Sequence, residues 1–389
     1  MPPQFGALLV EWGAGAMVLV ATAAWLWARA NPRPRLPHRV DPALQRVTTR
    51  AQLDAVVAHG CAEPLMCRAW TAERRADARV VRVLQFNTLA HGLSALPAAP
   101  MPFRATAPPS SGGLDRVECP ERTLDWERRR WLLLAEVLRH DADVIALQEV
   151  DHFADFFEPA LDAAGYDALF QPVSAPSSGE KFGGYTDGVA LAWRREALGL
   201  VRVHAMRAGC AGRASIVATL APTRAGGRPL VVASAHLTAR TGQAREDQRA
   251  RQVGTLLADI ERARRGADGT RSASPVILAG DLNTDPHDVR HPHPHVAKAL
   301  PKLMAYGLRS SYPLARGEDA HGAGSALWTT WKRRGEYEAK HQIDYIFTIG
   351  ATCLARLEPP SDAHVGEARL PSPRYPSDHI AIAADLLLD

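Results

Sequence analysis

The stretch VVASAHLTARTG, residues Val231–Gly242, decides how the fold is interpreted. Its first residues, through Ala233, form an apolar run that is typical of a buried strand. The run ends at His236, and Arg240 follows just before a Thr-Gly turn. A buried strand that delivers a histidine and then an arginine to its tip indicates a polar site there, and neighbouring strands must supply the rest of that site.

Polar residues recur where other apolar segments of the chain end. A buried carboxylate is costly unless it is paired or binds a metal. One such residue is more often a satisfied core polar group than a ligand. Several at matching strand ends favour one shared site, because the strands of a sheet end at a common edge. These residues are Asn87 (LQFN), Glu149 (ALQEV), Asp281 and Asn283 (LAGDLN), Asp344 (QIDYI), and Asp378 and His379 (YPSDHI).

The order of strands and helices predicts the fold class. Strands and helices alternate along the chain, with a run of consecutive strands in the middle. This order predicts an α/β fold, a four-layer α/β sandwich in which two packed mixed β-sheets are flanked by helices. We expect residues 75–389 to form one domain. Residues 91–115, rich in Pro, Ala, Ser and Gly, are predicted to be a flexible insertion within it.

Composition narrows the class of protein. The chain has 389 residues, of which 46% are hydrophobic and 23% charged, as is typical of globular proteins. A net charge of +4 is too weakly basic to indicate nucleic-acid binding by itself, and it is compatible with an anionic substrate. The five cysteines are odd in number and lack zinc-site spacing, which favours reduced thiols in a cytosolic-type compartment.

The N-terminal segment Phe5–Ala28 has 24 residues and one charge, Glu11. This length suffices to cross a bilayer, so residues 1–30 are predicted to be a transmembrane anchor. Arginines follow the segment and nothing basic precedes it, which places the following domain on the cytoplasmic side of the membrane. A mitochondrial presequence and an apolar tail packed on the domain are the alternatives. Residues 31–74 are interpreted as a Pro/Arg-rich linker with short helices.

The residue types at the strand ends indicate the chemistry. Glu149 and Asn87 offer hard oxygen ligands, which favour Mg²⁺, with Mn²⁺ as the alternative, over zinc. Asp344 can orient and polarise the imidazole of His379. His236 can donate to a phosphoryl oxygen as charge builds there. Together these groups fit metal-assisted attack of water on a phosphate ester.

Ordered motifs between Val81 and Leu388 strengthen this interpretation. They are QFNTLAHGL, CPERTLDWERRRWLL, LQEVDHF, HLTARTG, GDLN, TTWKRR, IDYIF and LPSPRYPSDH. The chain resembles the endonuclease/exonuclease/phosphatase superfamily, and within it the branch of nocturnin and the carbon-catabolite-repressor deadenylases. The resemblance implies a metal-dependent hydrolase whose main metal ligand is Glu149, with Asn87 beside it and Asp378 in the metal shell. It also implies that Asp187 contacts the substrate near the metal.

The resemblance implies roles for the catalytic residues as well. His236 would stabilise the phosphorane-like transition state. Asp281 would position or deprotonate the attacking water, and Asn283 would bind the scissile phosphate. His379, supported by Asp344, would complete the catalytic pair.

The substrate is predicted from the basic residues around this centre. The resemblance implies that Arg240 and Arg334 hold phosphates of NADP⁺ or NADPH, whose 2′-phosphate would be removed. Two lysines of the family are absent, at Thr238 and near Gln171–Pro172. The alternative is therefore a 3′–5′ exoribonuclease that acts on poly(A) at the RNA 3′ end. A non-catalytic membrane-tethered binding module would lack a catalytic residue, and no catalytic residue of the motifs is missing.

Overall fold

The structure is a computed structural model. It describes residues 40–61, 63–94, 119, 121–174, 186–209, 213–265, 270, 272–285, 296–314, 328–334 and 337–389. Within these ranges, no helix combines the length and the apolar character needed to cross a membrane. The anchor predicted at residues 1–30 and the part of the predicted insertion from residue 95 onward lie outside the described residues.

Helices and strands alternate as expected. The described helices are α1 (Arg50–Gly60), α2 (His91–Ser94), α3 (Trp126–Leu138), α4 (Glu158–Ala163), α5 (Gln243–Ala263), α6 (Ala299–Ala305) and α7 (Asp362–Val365). The described strands are β1 (Val80–Asn87), β2 (Val144–Val150), β3 (Tyr166–Pro172), β4 (Gly188–Arg194), β5 (Leu198–Gly209), β6 (Arg213–Pro222), β7 (Leu230–His236), β8 (Val276–Asp281), β9 (Arg309–Ser310), β10 (Thr330–Arg334), β11 (Tyr337–His341), β12 (Asp344–Ile349), β13 (Ala351–Arg356) and β14 (Ile382–Leu388).

The strands form two mixed six-stranded sheets and one hairpin. The first sheet has the order β13-β14-β1-β2-β4-β3, and the second has the order β5-β6-β7-β8-β12-β9. Strands β10 and β11 form a separate two-stranded ribbon. The first sheet contains the parallel pair β1–β2 and the second the parallel pair β7–β8, while their other ladders are antiparallel.

Side-chain alternation along the strands explains the layers. In β1, Val81 and Val83 belong to the apolar cluster between the two sheets, whereas Leu84 and Phe86 pack on the helices outside. Residues of a strand point alternately to opposite faces, so each buried strand supplies two cores. A third cluster lies between the second sheet and helices α5 and α6. The predicted four-layer α/β sandwich is therefore confirmed.

The domain begins earlier than the sequence predicts. Residues 40–74 were expected to be a linker with short helices, but Leu53 in α1 and Met66 are fully buried in the core outside the first sheet. Thr49 caps α1 with its side chain and accepts from the backbone N–H of Gln52. The start predicted at residue 75 is thus wrong. The composition of residues 40–74 resembles that of a linker, and a composition does not show that a few apolar side chains pack in the core. The predicted insertion at 91–115 also begins with the ordered turn of α2.

Candidate active site

The catalytic residues of the second sheet stand in one row. The ladder pairs His236 of β7 with Asp281 of β8, and Asp281 with Asp344 of β12. Directly paired residues point to the same face of a sheet. Ile277 and Ile346 lie an even number of residues away and belong to the cluster between the sheets, so the row faces the first sheet.

The first sheet supplies the opposite side of the site. Asn87 at the end of β1 pairs with Gln148 of β2, and both side chains are buried. The Asn87 amide donates to Asp281 Oδ2 at 2.9 Å, which joins the two sheets. Gln85 donates to Asp344 Oδ1 at 3.0 Å and makes a second such link. The site therefore lies between the sheets at one edge, as the sequence predicts.

Glu149 reaches the site through an irregularity in β2. In a regular strand Glu149 would point to the face opposite that of Gln148, away from the second sheet. The ladder between β2 and β4 shifts register between Leu147 and Val150, and Glu149 has φ of 56°. This local kink turns the carboxylate toward the site, where Oε1 lies 3.9 Å from His236 Nε2.

Two consecutive amides hold the predicted metal ligands side by side. The backbone N–H of Leu89 donates to Asn87 Oδ1 at 3.0 Å, and that of Ala90 donates to Glu149 Oε2 at 3.3 Å. Leu89 itself has φ of 57°, in the left-handed region that non-glycine residues rarely adopt. The turn after β1 thus places a carboxylate and an amide oxygen next to each other, an oxygen-rich set that suits Mg²⁺ or Mn²⁺.

Asp281 is the electrostatic centre of the row. Its Oδ2 lies 3.4 Å from His236 Nε2 and 4.0 Å from His379 Nε2. Burial alone would raise the pKa of Asp281, but the hydrogen bond and charge of His236, the charge of His379 and the hydrogen bond from the Asn87 amide hold it well below its ordinary range. Asp281 is therefore a carboxylate at neutral pH, as a proton acceptor must be.

His379 and Asp344 form the predicted pair. His379 Nδ1 lies 2.8 Å from Asp344 Oδ2, and both side chains are buried. Burial opposes the charged imidazole, but the charges of Asp344 and Asp378 outweigh it and raise the pKa of His379 to about 10. The imidazolium is therefore the resting form at neutral pH, so His379 can donate a hydrogen bond to a phosphoryl oxygen.

Asp378 has a cationic neighbour that the sequence interpretation missed. Lys332 of β10 donates from Nζ to Asp378 Oδ2 at 2.6 Å, while Oδ1 lies 4.0 Å from His379 Nε2. Lys332 lies in the motif TTWKRR, 46 positions before Asp378, and no local sequence signal links the two residues. The role of Asp378 in the metal shell stays a prediction.

Asn283 and Asp187 are two further predicted site residues. Asn283 has φ of 51°, and its backbone N–H donates to Asp281 Oδ1 at 2.9 Å while its side chain donates to the carbonyl of Leu237 at 3.0 Å. This brings Asn283 beside the row, as expected of a phosphate-binding residue. Asp187 is buried immediately before β4, and its carbonyl accepts from the backbone N–H of Val173.

A buried ion pair supports the loop that carries Arg240. Arg240 is exposed and has φ of 78°. Arg249 of α5 is almost fully buried and donates to the carbonyls of Thr238 at 3.1 Å and Arg240 at 2.7 Å. Its Nε donates to Glu246 at 2.8 Å. The hydroxyl of Thr238 is buried and has no hydrogen-bond partner within the described ranges.

Arg334, the second predicted phosphate-binding arginine, is the last residue of β10, and its side chain lies outside what the structure describes. Its role in substrate binding therefore stays a prediction. The predicted residues that converge on the edge described above are Asn87, Glu149, His236, Asp281, Asn283, Asp344, Asp378 and His379. Lys332, Arg249 and Glu246 are added to them by the fold, and their sequence signals, a lysine beside a predicted arginine and an i, i+3 ion pair in an amphipathic helix, are common on protein surfaces.

The profile of the Endonuclease/Exonuclease/phosphatase family matches residues 84–379. The chain belongs to this family. It is 31% identical to human nocturnin over 311 residues, which cover 78% of this chain and 64% of that protein. It is 34% identical to Xenopus laevis nocturnin over 315 residues, which cover 79% of this chain and 72% of that protein. The chain thus spans about two thirds of these relatives.

Solved structures agree with the family assignment. The human nocturnin catalytic domain with bound sulfate is 26% identical, with a TM-score of 0.57, and the match covers 83% of this chain and 97% of that one. ANGEL2, a 2′,3′-cyclic phosphatase, has a TM-score of 0.62 at 20% identity, which shows a shared fold. The chain is therefore a hydrolase of this metal-dependent superfamily, and the resemblance inferred from its motifs is confirmed.

The donor groups of this family member fit a divalent cation. Asp281, Asp344 and His379 each bring one ligand atom within 4.8 Å of the others. However, both oxygens of Asp344 already have partners, His379 Nδ1 at Oδ2 and the Gln85 amide at Oδ1. Glu149 keeps 15% of its side chain exposed and stands beside the Asn87 oxygen. The Glu149–Asn87 end of the site is thus the better place for the ion.

Proposed function

We propose that this chain is a Mg²⁺-dependent phosphoesterase that hydrolyses the 2′-phosphate of NADP⁺ and NADPH to give NAD⁺ and NADH. The observation that carries the proposal is Arg240, an exposed guanidinium four residues after His236 on a loop fixed by buried Arg249. A guanidinium held beside a hydrolytic centre suits a substrate with phosphates beyond the scissile one. The similarity to nocturnin over most of the chain supports the same choice.

The geometry suits water attack on the phosphorus. Asn283 and His236 hold the phosphoryl oxygens, and the imidazolium of His379 donates to the charge that develops on them. The Asp281 carboxylate orients the water and takes its proton as the oxygen–phosphorus bond forms. The bond from phosphorus to the ribose O2′ then breaks, and the ribose oxygen gains a proton from solvent. The products are inorganic phosphate and the dephosphorylated dinucleotide.

Glu149 and Asn87 would hold the Mg²⁺. When bound, the ion neutralises phosphoryl oxygens and so lowers the charge that the attacking water meets. The neighbouring amides of Leu89 and Ala90 keep both side chains in place before the ion binds. This arrangement reduces the cost of ordering the ligands.

Phosphate release from NADPH by the full-length chain in Mg²⁺ tests the proposal directly. We expect release by the wild type and its loss in Glu149→Ala. Glu196→Ala is the control, because Glu196 is an exposed glutamate just after β4, at the opposite end of that strand from Asp187. Absence of release from NADPH, together with shortening of a 5′-labelled A-tailed RNA, would show that the substrate is wrong while the hydrolase assignment holds.

A 3′–5′ exoribonuclease acting on poly(A) is the second candidate. The specific support is the similarity to a carbon catabolite repressor protein 4 homologue of Arabidopsis thaliana, 27% identical over 69% of this chain. The buried hydroxyl of Thr238 also leaves no cation at that position of the loop. The NADPH and RNA assays above, run on the same preparation, separate the two candidates.

We also propose that residues 1–30 anchor the chain to a membrane with the catalytic domain on the cytoplasmic side. The support is the apolar segment Phe5–Ala28 followed by arginines. Full-length protein should sediment with membranes and deletion of residues 1–30 should release it. Import into mitochondria with removal of the segment would favour the presequence instead.

A further inference from the structure

The β10–β11 hairpin has one face against the core and one against the site. On the core face, Trp331 packs between Lys340, whose Nζ lies 3.8 Å from the ring centroid, and Arg369, whose Cζ lies 4.2 Å from it. On the other face, Thr330 donates to the carbonyl of Asp378 at 2.8 Å and Lys332 donates to the Asp378 carboxylate. The second face therefore borders the catalytic centre.

A row of paired residues runs across this second face. Thr330 pairs with His379 on one side through an isolated bridge and with His341 on the other side within the hairpin. Paired residues on neighbouring strands point the same way, so His341 lies on the face that borders the site. Two strand spacings separate His341 from His379, which is about 10 Å.

His341 has a carboxylate partner like that of His379. Its Nδ1 lies 2.8 Å from Asp285 Oδ2, the same separation that joins His379 to Asp344. Asp285 comes two residues after Asn283, on the loop that follows β8. The carboxylate accepts from Nδ1 and fixes the ring, so that Nε2 points away from Asp285 and can donate to an anion when it carries a proton.

The exposure of the pair separates this interpretation from a purely structural one. The His341 side chain keeps 22% of its surface exposed, while Asp285 keeps 10%. An ion pair that only fastened the hairpin to the loop could lie anywhere along their contact. This one lies in the row of His379 with its imidazole open to solvent. Lys332 on the same face is also oriented by a carboxylate, that of Asp378, which is the residue before His379.

We propose that His341, oriented by Asp285, binds a second phosphate group of the substrate, about 10 Å from the scissile phosphate bound near His379. The hairpin face then serves as a phosphate-binding subsite next to the hydrolytic centre. This inference rests on the proposed phosphoesterase function. It requires that the substrate carry more than one phosphate group, as both NADPH and an RNA strand do.

The test compares two substrates that differ in the second phosphate. NADPH carries a diphosphate besides its 2′-phosphate, whereas adenosine 2′-monophosphate carries the scissile group alone. The quantity compared is the ratio of KM for NADPH to KM for adenosine 2′-monophosphate. We expect His341→Asn in the full-length chain to raise this ratio about tenfold, because one charge-assisted hydrogen bond to the second phosphate is lost. Asp285→Asn should shift the same ratio in the same direction by a smaller factor.

Two further variants guard against indirect effects. His204→Asn is the matched control, since His204 also bonds a single side chain, Thr219 at 2.8 Å, on the edge strand β5 away from the site. It should leave the ratio of the two KM values unchanged. The longer side chain in His341→Gln can bring its amide nitrogen to the place of the imidazole Nε2, which the shorter side chain in His341→Asn cannot reach, so His341→Gln should keep part of the wild-type ratio, a result that a role in folding alone would not produce. Equal changes of KM for both substrates, or no change in either, would overturn the inference.

Failure of the proposed function is distinguishable from failure of this inference. If the wild type releases no phosphate from NADPH but shortens RNA, the same variants are compared on the oligoadenylates ApApA and ApA. ApApA has a phosphate beyond the scissile one and ApA does not. A KM ratio between these two that His341→Asn leaves unaltered would refute the subsite independently of the NADP(H) proposal.

Discussion

Two buried carboxylates, Glu136 and Asp281, lie in clusters of charged side chains with different neighbours. In the first, Glu136 of α3 accepts from Tyr375 at 2.8 Å and lies beside His140 and Arg139, with Arg68 Nη1 at 3.6 Å. In the second, Asp281 lies between two histidines and Asn87. Glu136 and Tyr375 lie on the helix side of the first sheet, whereas Asp281 belongs to the row of paired strand residues that faces the site between the sheets. We therefore expect the first cluster to contribute to stability and the second to catalysis.

The contrast predicts its largest effect at Asp281. Asp281→Asn keeps the shape of the side chain and removes the proton acceptor, so kcat should fall by about a thousandfold. Far-ultraviolet circular dichroism and thermal unfolding show whether the fold is kept. A variant that retains more than a tenth of wild-type kcat would mean that Asp281 is not the group that receives the proton.

Glu136 should show the reverse profile. Glu136→Gln leaves the buried guanidinium of Arg68 without its counter-charge, so the free energy of unfolding should fall by about 3 kcal/mol. The kcat of the folded fraction should stay near that of the wild type. Urea denaturation measures the first quantity and assays well below the midpoint measure the second. A large loss of kcat with unchanged stability would show that this cluster is not merely structural.

The clusters should also lose their contributions to stability at opposite ends of the pH range. The pKa of Glu136 is lowered to about 2, against its burial, by His140 and the arginines, so its contribution is present above its ordinary pKa and is lost as the pH falls toward 2. The pKa of His379 is raised to about 10, so its contribution is complete below its ordinary pKa and declines as the pH rises toward 10.

Midpoints of urea denaturation, measured across both pH windows, check this expectation. Glu136→Gln should flatten the acid side of the stability profile and leave the alkaline side as it is. His379→Gln should flatten the alkaline side instead. Identical profiles for the wild type and both variants would mean that other groups control stability in these windows.

The smallest effect is expected in the support of the Arg240 loop. Arg249→Met frees the carbonyls of Thr238 and Arg240, so KM for NADPH should rise about tenfold while kcat changes little. The KM of Arg249→Lys should lie between that of Arg249→Met and that of the wild type. Asp259→Asn is a matched control on the same helix, because Asp259 is fully buried and paired with Arg207 and Arg262. If Asp259→Asn raises KM for NADPH as much as Arg249→Met does, general destabilisation of α5 explains the result.

The sequence predicts the sandwich and most of the site from two local signals. Alternation along a strand fixes the face on which His236, Asp281 and Asp344 lie, and apolar strands that stop at polar residues mark the edge. Both signals are local and can be read without a structure. Asn87 is found in the same way, at the end of β1.

The remaining features depend on partners that are distant in the chain. Strict alternation would send Glu149 to the wrong face, and only the register shift in β2 corrects it. His341 and Asp285 are 56 positions apart; His341 ends the polar strand β11 and Asp285 lies in the loop beyond the end of β8, so neither stands at the end of an apolar strand. Residues 40–74 join the domain through scattered side chains such as Leu53, so their composition alone resembles that of a linker.

The position of β14 has a consequence for biosynthesis. This strand lies between β13 and β1 within the first sheet, yet it is synthesised after every other described element. His379 precedes it by only a few residues. A ribosome-bound chain that lacks this segment has β1 as an open strand edge and an incomplete catalytic pair. The nascent chain therefore stays inactive and exposed to misassociation until this segment has left the ribosome.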